Sequence, residues 1–147
     1  MKPLKHSVSL VIEGPDGLLL VKRPERDESL PGEWGLPAAT LRPGEREEDA
    51  VRRAGRDKLG VEVRPLRALG EASGERPAYR ILMRDWEVEV AAGEPVVPQP
   101  GEGTQYESLR WGPVDELLPA ARHGSLCARV LLGVRPLEST IVKGSDP

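Results

Sequence analysis

At 147 residues the chain has the length of one ordinary domain, enough to bury a core without disulfides or a structural metal. Its 21 basic and 24 acidic side chains leave a formal charge of -3, which argues against a global basic field for nucleic acid or an anionic membrane. The single cysteine, Cys127, can make neither an internal disulfide nor a cysteine-based metal site. With no long apolar segment and no signal-peptide pattern, a cytoplasmic protein is the expectation.

Residues 5–13 (KHSVSLVIE) alternate as a strand, with Val8, Leu10 and Ile12 on one face and Val11 interrupting the polar face of His6, Ser7 and Ser9. The turn chemistry of Gly14-Pro15-Asp16-Gly17 ends that run. Residues 18–23 return as a continuous apolar stretch of the kind found in a strand buried on both faces, so the two read as a hairpin. From 24 to 35 the breakers Pro24, Pro31 and Gly32 predict a loop, and Trp34 to Pro37 a short extended piece.

Pro43-Gly44 then supplies a turn, and Glu45, Glu47, Glu48 and Asp49 crowd a helix start, where the positive end of the dipole favours carboxylates. The helix is predicted over 47–59, with Ala50, Val51, Ala54, Gly55 and Leu59 as its inner stripe and Gly60 as its stop. Gly55 inside it costs about 1 kcal/mol relative to alanine, which points to close packing there. Residues 61–72 and 78–90 read as two paired strands around a Ser73-Gly74 turn, and 91–104, rich in Pro and Gly, as a long surface loop that could act as a flap. A last strand over 106–111, a short helix opened by Pro113, a second helix over 125–133 and a polar tail complete the chain. Strands flanking a central helix, then a terminal helix, predict an α/β sandwich with a mixed sheet; one domain over 1–137 and a flexible tail over 138–147 are expected.

The stretch 37–61 (PAATLRPGEREEDAVRRAGRDKLGV) resembles the box of the Nudix hydrolases. Anchored on Gly60-Val61, it aligns Glu45 with the first box glutamate and Arg53 with the box arginine, with no insertion. LLLVKR and LPGEWGLP before the box and LRWGPVDEL after it are similar to what surrounds the box in that family. The resemblance covers most of residues 5–119 and implies the Nudix fold, an α/β/α sandwich around a mixed β-sheet. It also implies Mg²⁺ or Mn²⁺ as cofactor and a nucleoside diphosphate derivative as small-molecule partner; net charge and the lack of clustered aromatics disfavour nucleic acid, no membrane is expected, and a homodimer stays open.

The departures fall on the chemistry. Ala39 stands at the opening glycine, Ala54 at the glutamate after arginine, Gly55 at the apolar position and Asp57-Lys58 at the final glutamate pair. In the family, helix glutamates three and four apart share one face, a geometry suited to a hard cation that takes oxygen ligands. Here that face is expected to present Ala54, Asp57 and Lys58. By resemblance, Asp57 and Glu45 are the candidate metal ligands; Glu45, Arg53, Asp57 and Glu107 the candidate catalytic residues; Arg23, Lys58 and Trp34 the candidate substrate contacts. Glu48 and Glu102 are further carboxylates that could complete a metal shell, and Lys58 could instead neutralise a phosphate directly. Arg53 reads first as the salt-bridge partner of Glu45, Trp34 and Trp111 as core or lid residues, Glu107 as a solvated glutamate at a strand edge and Cys127 as a small core residue. Two functions follow: a pyrophosphohydrolase with weakened metal binding, or a catalytically silent domain that binds a nucleotide or partner.

Overall fold

The computed structural model describes residues 2–27, 30–100 and 105–134. Strand β1 (Leu4–Gly14) is the axis of the sheet. It pairs with β2 (Gly17–Lys22) through the expected tight hairpin, with Gly14 opposite Gly17. It also pairs antiparallel with the short β4 (Ala38–Thr40) and parallel with β6 (Arg80–Ala92), which makes the sheet mixed. Strands β3 (Trp34–Gly35) and β7 (Ser108–Gly112) join β2, and β5 (Glu62–Glu75) closes the other edge against β6.

The strand alternation of β1 feeds two cores rather than one. Val8, Leu10 and Ile12 pack under α1 (Glu47–Ala54) with Ala50, Val51 and Leu59. The opposite face, predicted to be polar, is buried too: Val11 meets Ile81, Met83 and the C-terminal helices, and Ser7 and Ser9 are 3% and 0% exposed. The cause is the second layer formed by a 3-10 turn (Val114–Leu117), α2 (Leu118–Arg122) and α3 (Leu126–Val134). Helices on both faces of the sheet make the α/β/α sandwich. No described helix is long and apolar enough to cross a membrane.

The β5–β6 hairpin differs from its sequence reading. Ser73 and Gly74 lie within β5, opposite Leu82 and Ile81, and the chain reverses at residues 76–79, where the Arg76 amide donates to the Tyr79 carbonyl at 2.8 Å. Register shifts near Pro65 and Ala68 break the pairing of this edge strand, where proline and bulges are tolerated. At the helix start, Glu47 ties the layers together. It accepts from His6 Nε2 and Arg84 Nη1, both at 2.7 Å, and from Trp86 Nε1 at 2.8 Å. The expected tail over 138–147 lies outside the described residues.

One buried acid stands apart. Asp85 faces Ser9 across the β1–β6 register, near enough for the hydroxyl to favour the carboxylate, yet neither Asp85 oxygen nor the Ser9 hydroxyl makes a hydrogen bond of good geometry among the described residues. Burial pushes the Asp85 carboxyl up from 3.8 to about 7, and the facing Ser9 hydroxyl offsets only part of that. The unfolded chain loses this proton near pH 4 while the folded one keeps it, so stability falls as pH rises through that window and levels off above about 7. Asp85→Asn is expected to gain on the order of 3 kcal/mol relative to wild type between pH 4 and pH 8. Urea denaturation at the two pH values checks this; parallel pH profiles would contradict it.

Candidate ligand cleft at the end of the box helix

The helix α1 does not run on to Leu59 as an α-helix. Residues Gly55–Leu59 form a π turn, after which Gly60 takes the left-handed conformation (φ +70°) that glycine adopts without cost. The inner stripe is nonetheless as expected, with Ala50, Val51, Ala54, Gly55 and Leu59 all buried. Gly55 is held against Val63: a β-carbon there would lie 2.9 Å from a Val63 methyl. The wider turn undoes the expected common face. Ala54 is fully buried in the α1 core, Asp57 is exposed, and Lys58 is half-buried on the cleft side.

Glu45 and Arg53 form a two-pronged ion pair. Arg53 Nε donates to Glu45 Oε2 and Arg53 Nη2 to Oε1, each at 2.9 Å, and Nη2 also reaches the Thr40 carbonyl at 2.8 Å. The Arg42 amide adds a third donor to Glu45 at 2.9 Å. These contacts tie the turn before the helix to the helix itself, which is the salt-bridge role read for Arg53. The Arg53 hydrogen bond, with the Arg42 amide and both arginine charges behind it, holds the Glu45 carboxyl down at about 2 against the opposing effect of burial. Its contribution to stability is therefore complete above the ordinary value of 4.5 and lost as pH falls through about 2. Glu45→Gln is expected to cost about 2 kcal/mol at pH 7, by loss of a charge-assisted pair. The cost should vanish in denaturation experiments near pH 2, and a cost that persists there would contradict this assignment.

Beside this pair opens a cavity of about 300 Å³. Its floor is the second face of β1 and β6 (Ser7, Ile81, Met83), and the start of α3, including Leu126 and Cys127, walls it. Among the described residues, Lys5, Arg23, Lys58 and Arg76 line it and no carboxylate does. Lys58 sits over the Tyr106 ring, Nζ 5.4 Å from its centre. Burial, and then the nearby Arg23 and Arg53 charges, lower the Lys58 pKa, with Asp57 opposing. Tyr106 is buried and fixes this wall: its hydroxyl accepts from the Ala38 amide at 2.9 Å.

Of the residues singled out in the sequence, the structure brings Arg23 and Lys58 into the cavity and pairs Glu45 with Arg53 outside its lining. Asp57 is exposed near Lys58 and Arg53, close enough for its charge to act on both. Trp34 does not line the cavity; it packs at the edge of the second core, with the Arg110 guanidinium 4.2 Å from its ring centre. Glu107 is exposed beside the β2–β7 ladder, its amide donating to the Lys22 carbonyl at 2.9 Å, and does not line the cavity either. Glu48 meets Arg46 at 3.6 Å, and Glu102 lies outside the described residues. Tyr106, Lys5, Arg76 and Tyr79 escaped the sequence reading because nothing in their spacing links them. Cys127 is a core residue as expected, yet it also borders the cavity.

The donor set does not fit a tightly held divalent cation. Glu45 gives both oxygens to Arg53, Ala54 has no oxygen, and Lys58 brings positive charge. Among the described residues no three His, Cys, Asp or Glu side chains come together in metal-binding geometry.

A mixed sheet between two helical layers, with a glycine-stopped helix and its Glu45–Arg53 brace at the cleft, is the architecture of the Nudix fold. The NUDIX domain model matches residues 3–129, and the chain belongs to that family. It is 34% identical over 129 residues to the NAD-capped RNA hydrolase NudC of Stutzerimonas stutzeri (strain A1501), covering 88% of this chain and 43% of that protein. The NudC of Pseudomonas aeruginosa (strain LESB58) is 30% identical over 128 residues, with 87% and 43% covered, so the chain spans less than half the length of these curated relatives. Among solved structures, a NUDIX hydrolase from Nitrosomonas europaea superposes with a TM-score of 0.70 at 22% identity, covering 95% of both chains. A MutT NUDIX hydrolase from Burkholderia pseudomallei gives 0.66 at 25% identity, over 78% of this chain and 86% of that one.

Proposed function

We propose that this Nudix domain binds a nucleoside diphosphate derivative, with the diphosphate held between Arg23 and Lys58, and that recognition rather than metal-assisted hydrolysis is its activity. The observation that carries this reading is the cleft itself: among the described residues its charged lining is cationic throughout, and Lys58 occupies the place of a metal-binding glutamate. An ammonium on a flexible stem, made less basic and less hydrated by burial, is a direct phosphate partner where the family generally relies on a divalent cation. The relatives named for NAD-capped RNA supply the class of ligand, since NAD is two nucleosides joined through a diphosphate.

A second reading, cleavage of the pyrophosphate bond with weak Mg²⁺ or Mn²⁺ binding, is favoured by one observation. The Glu45–Arg53 brace of the box is intact and Asp57 remains exposed beside it, with Glu107 as the candidate base. A phosphate-release screen over nucleoside triphosphates, dinucleoside polyphosphates and nucleotide sugars, with both metals, separates the two. The binding reading expects release at background while the same compounds raise the unfolding temperature. Saturable, metal-dependent release would overturn it in favour of hydrolysis.

A further inference from the structure

The cavity has cations at two ends, and only one end belongs to the box. Arg23 and Lys58 stand at the β4 side with Tyr106; Lys5 and Arg76 stand at the start of β6 with Tyr79. Tyr106 bonds Ala38, which stands opposite Ser9 on β1, and Lys5 lies four residues earlier on that strand, so the anchor points of the two groups are set apart by roughly 13 Å along β1. The rest of the lining mixes apolar Ala39, Ile81, Met83 and Leu126 with the hydroxyls of Ser7, Thr40 and Ser125, a surface suited to a sugar and base.

What distinguishes the far end is how its cations are held. Arg76 donates from Nη2 to the Gly124 carbonyl at 3.0 Å and from Nη1 to the Glu75 carbonyl at 3.3 Å. Lys5 Nζ lies 5.0 Å from the centre of the Tyr79 ring. Carbonyls and an aromatic face orient a cation without cancelling its charge. The adjacent carboxylate of Glu75 is met instead by Lys2, at 3.0 Å. By contrast, Arg23 at the box end has the Asp27 carboxylate at 3.5 Å. The far end is thus a positioned pair of positive charges facing a cavity whose described lining holds no acid.

We infer that Lys5 and Arg76 form a second phosphate subsite, so that the ligand is a nucleoside diphosphate carrying a further phosphate on its ribose. The inference rests on the proposed binding of the diphosphate at Arg23 and Lys58. A nucleoside phosphorylated on both sides of its ribose places anions at the two ends of a compact sugar-and-base body, which matches a cavity with cations at both ends.

Calorimetric titration of the full chain with ADP, adenosine 2′-phosphate 5′-diphosphate and adenosine 3′-phosphate 5′-diphosphate tests this. At least one of the doubly phosphorylated nucleotides should bind about tenfold more tightly than ADP, the size of one charge-assisted contact. Lys5→Gln with Arg76→Gln should remove that advantage and leave ADP affinity unchanged, which also reports that the variant is folded. If the double variant fails to fold, exposed Lys5→Gln alone should remove part of it. Lys58→Ala should weaken all three ligands together. Equal binding of all three to wild type, or an advantage that survives the variants, overturns the second subsite alone. Absence of binding by every ligand overturns the box-end reading and this one with it.

Discussion

Lys58→Glu is expected to lower affinity for ADP on the order of 100-fold while leaving the unfolding midpoint nearly unchanged. The side chain is half-buried at the cleft, over the Tyr106 ring, with Arg23 and Arg53 near enough for their charges to lower its pKa. A charge-assisted contact to phosphate contributes about 1.5–3 kcal/mol, and replacing the ammonium with a carboxylate adds repulsion to that loss. The new carboxylate would also draw Arg23 away from the ligand, since Arg53 is already committed to Glu45. Affinity retained within about threefold of wild type would remove Lys58 from the binding site. Because its pKa is lowered, anion binding should also decline with rising pH earlier than an ordinary lysine would dictate.

Ala54→Glu, the substitution that returns the box toward the family pattern, is expected to destabilise the protein by about 3–5 kcal/mol. Ala54 is 0% exposed and belongs to the core cluster of Val8, Leu10, Val51 and Leu59, where a carboxylate would be stripped of water. Adding Lys58→Glu does not rescue it, because the second acid repels the first and removes a positive charge. The metal face therefore depends on backbone placement as well as on side-chain identity, and the π turn at Gly55–Leu59 sets that placement here. Chemical denaturation of both variants tests this. Wild-type stability together with a new Mg²⁺ binding signal would contradict it.

Residue spacing carried the box into the structure almost intact. The stripe from Ala50 to Leu59, the left-handed stop at Gly60, the packing at Gly55 and the Glu45–Arg53 pair all depend on positions a few residues apart, where local pattern and geometry coincide. The hairpin of β1 and β2 was legible for the same reason. Features set by distant partners were not. Ser7 and Ser9 read as solvent-facing because the layer that buries them arrives more than a hundred residues later. Ser73-Gly74 carries turn chemistry, yet cross-strand pairing with Leu82 and Ile81 overrides it and moves the reversal to 76–79. The slip from α to π hydrogen bonding left the apolar stripe unchanged, so nothing in the pattern announced it, though it decides where Asp57 points. Trp34 illustrates the reverse case: its neighbourhood resembles the family's, but Arg110 from β7 covers its ring and the cavity lies elsewhere. The cationic cleft needs Lys5, Arg23, Lys58 and Arg76 from four separate segments, and only the fold assembles them.

The central claim is that cations of the chain itself, not a bound metal, hold the diphosphate. Titration of ADP into the protein by calorimetry, first with a chelator and then with millimolar Mg²⁺, tests it most directly. Saturable binding in chelator, unchanged by Mg²⁺, is the predicted result; binding that appears only when Mg²⁺ is added would contradict it.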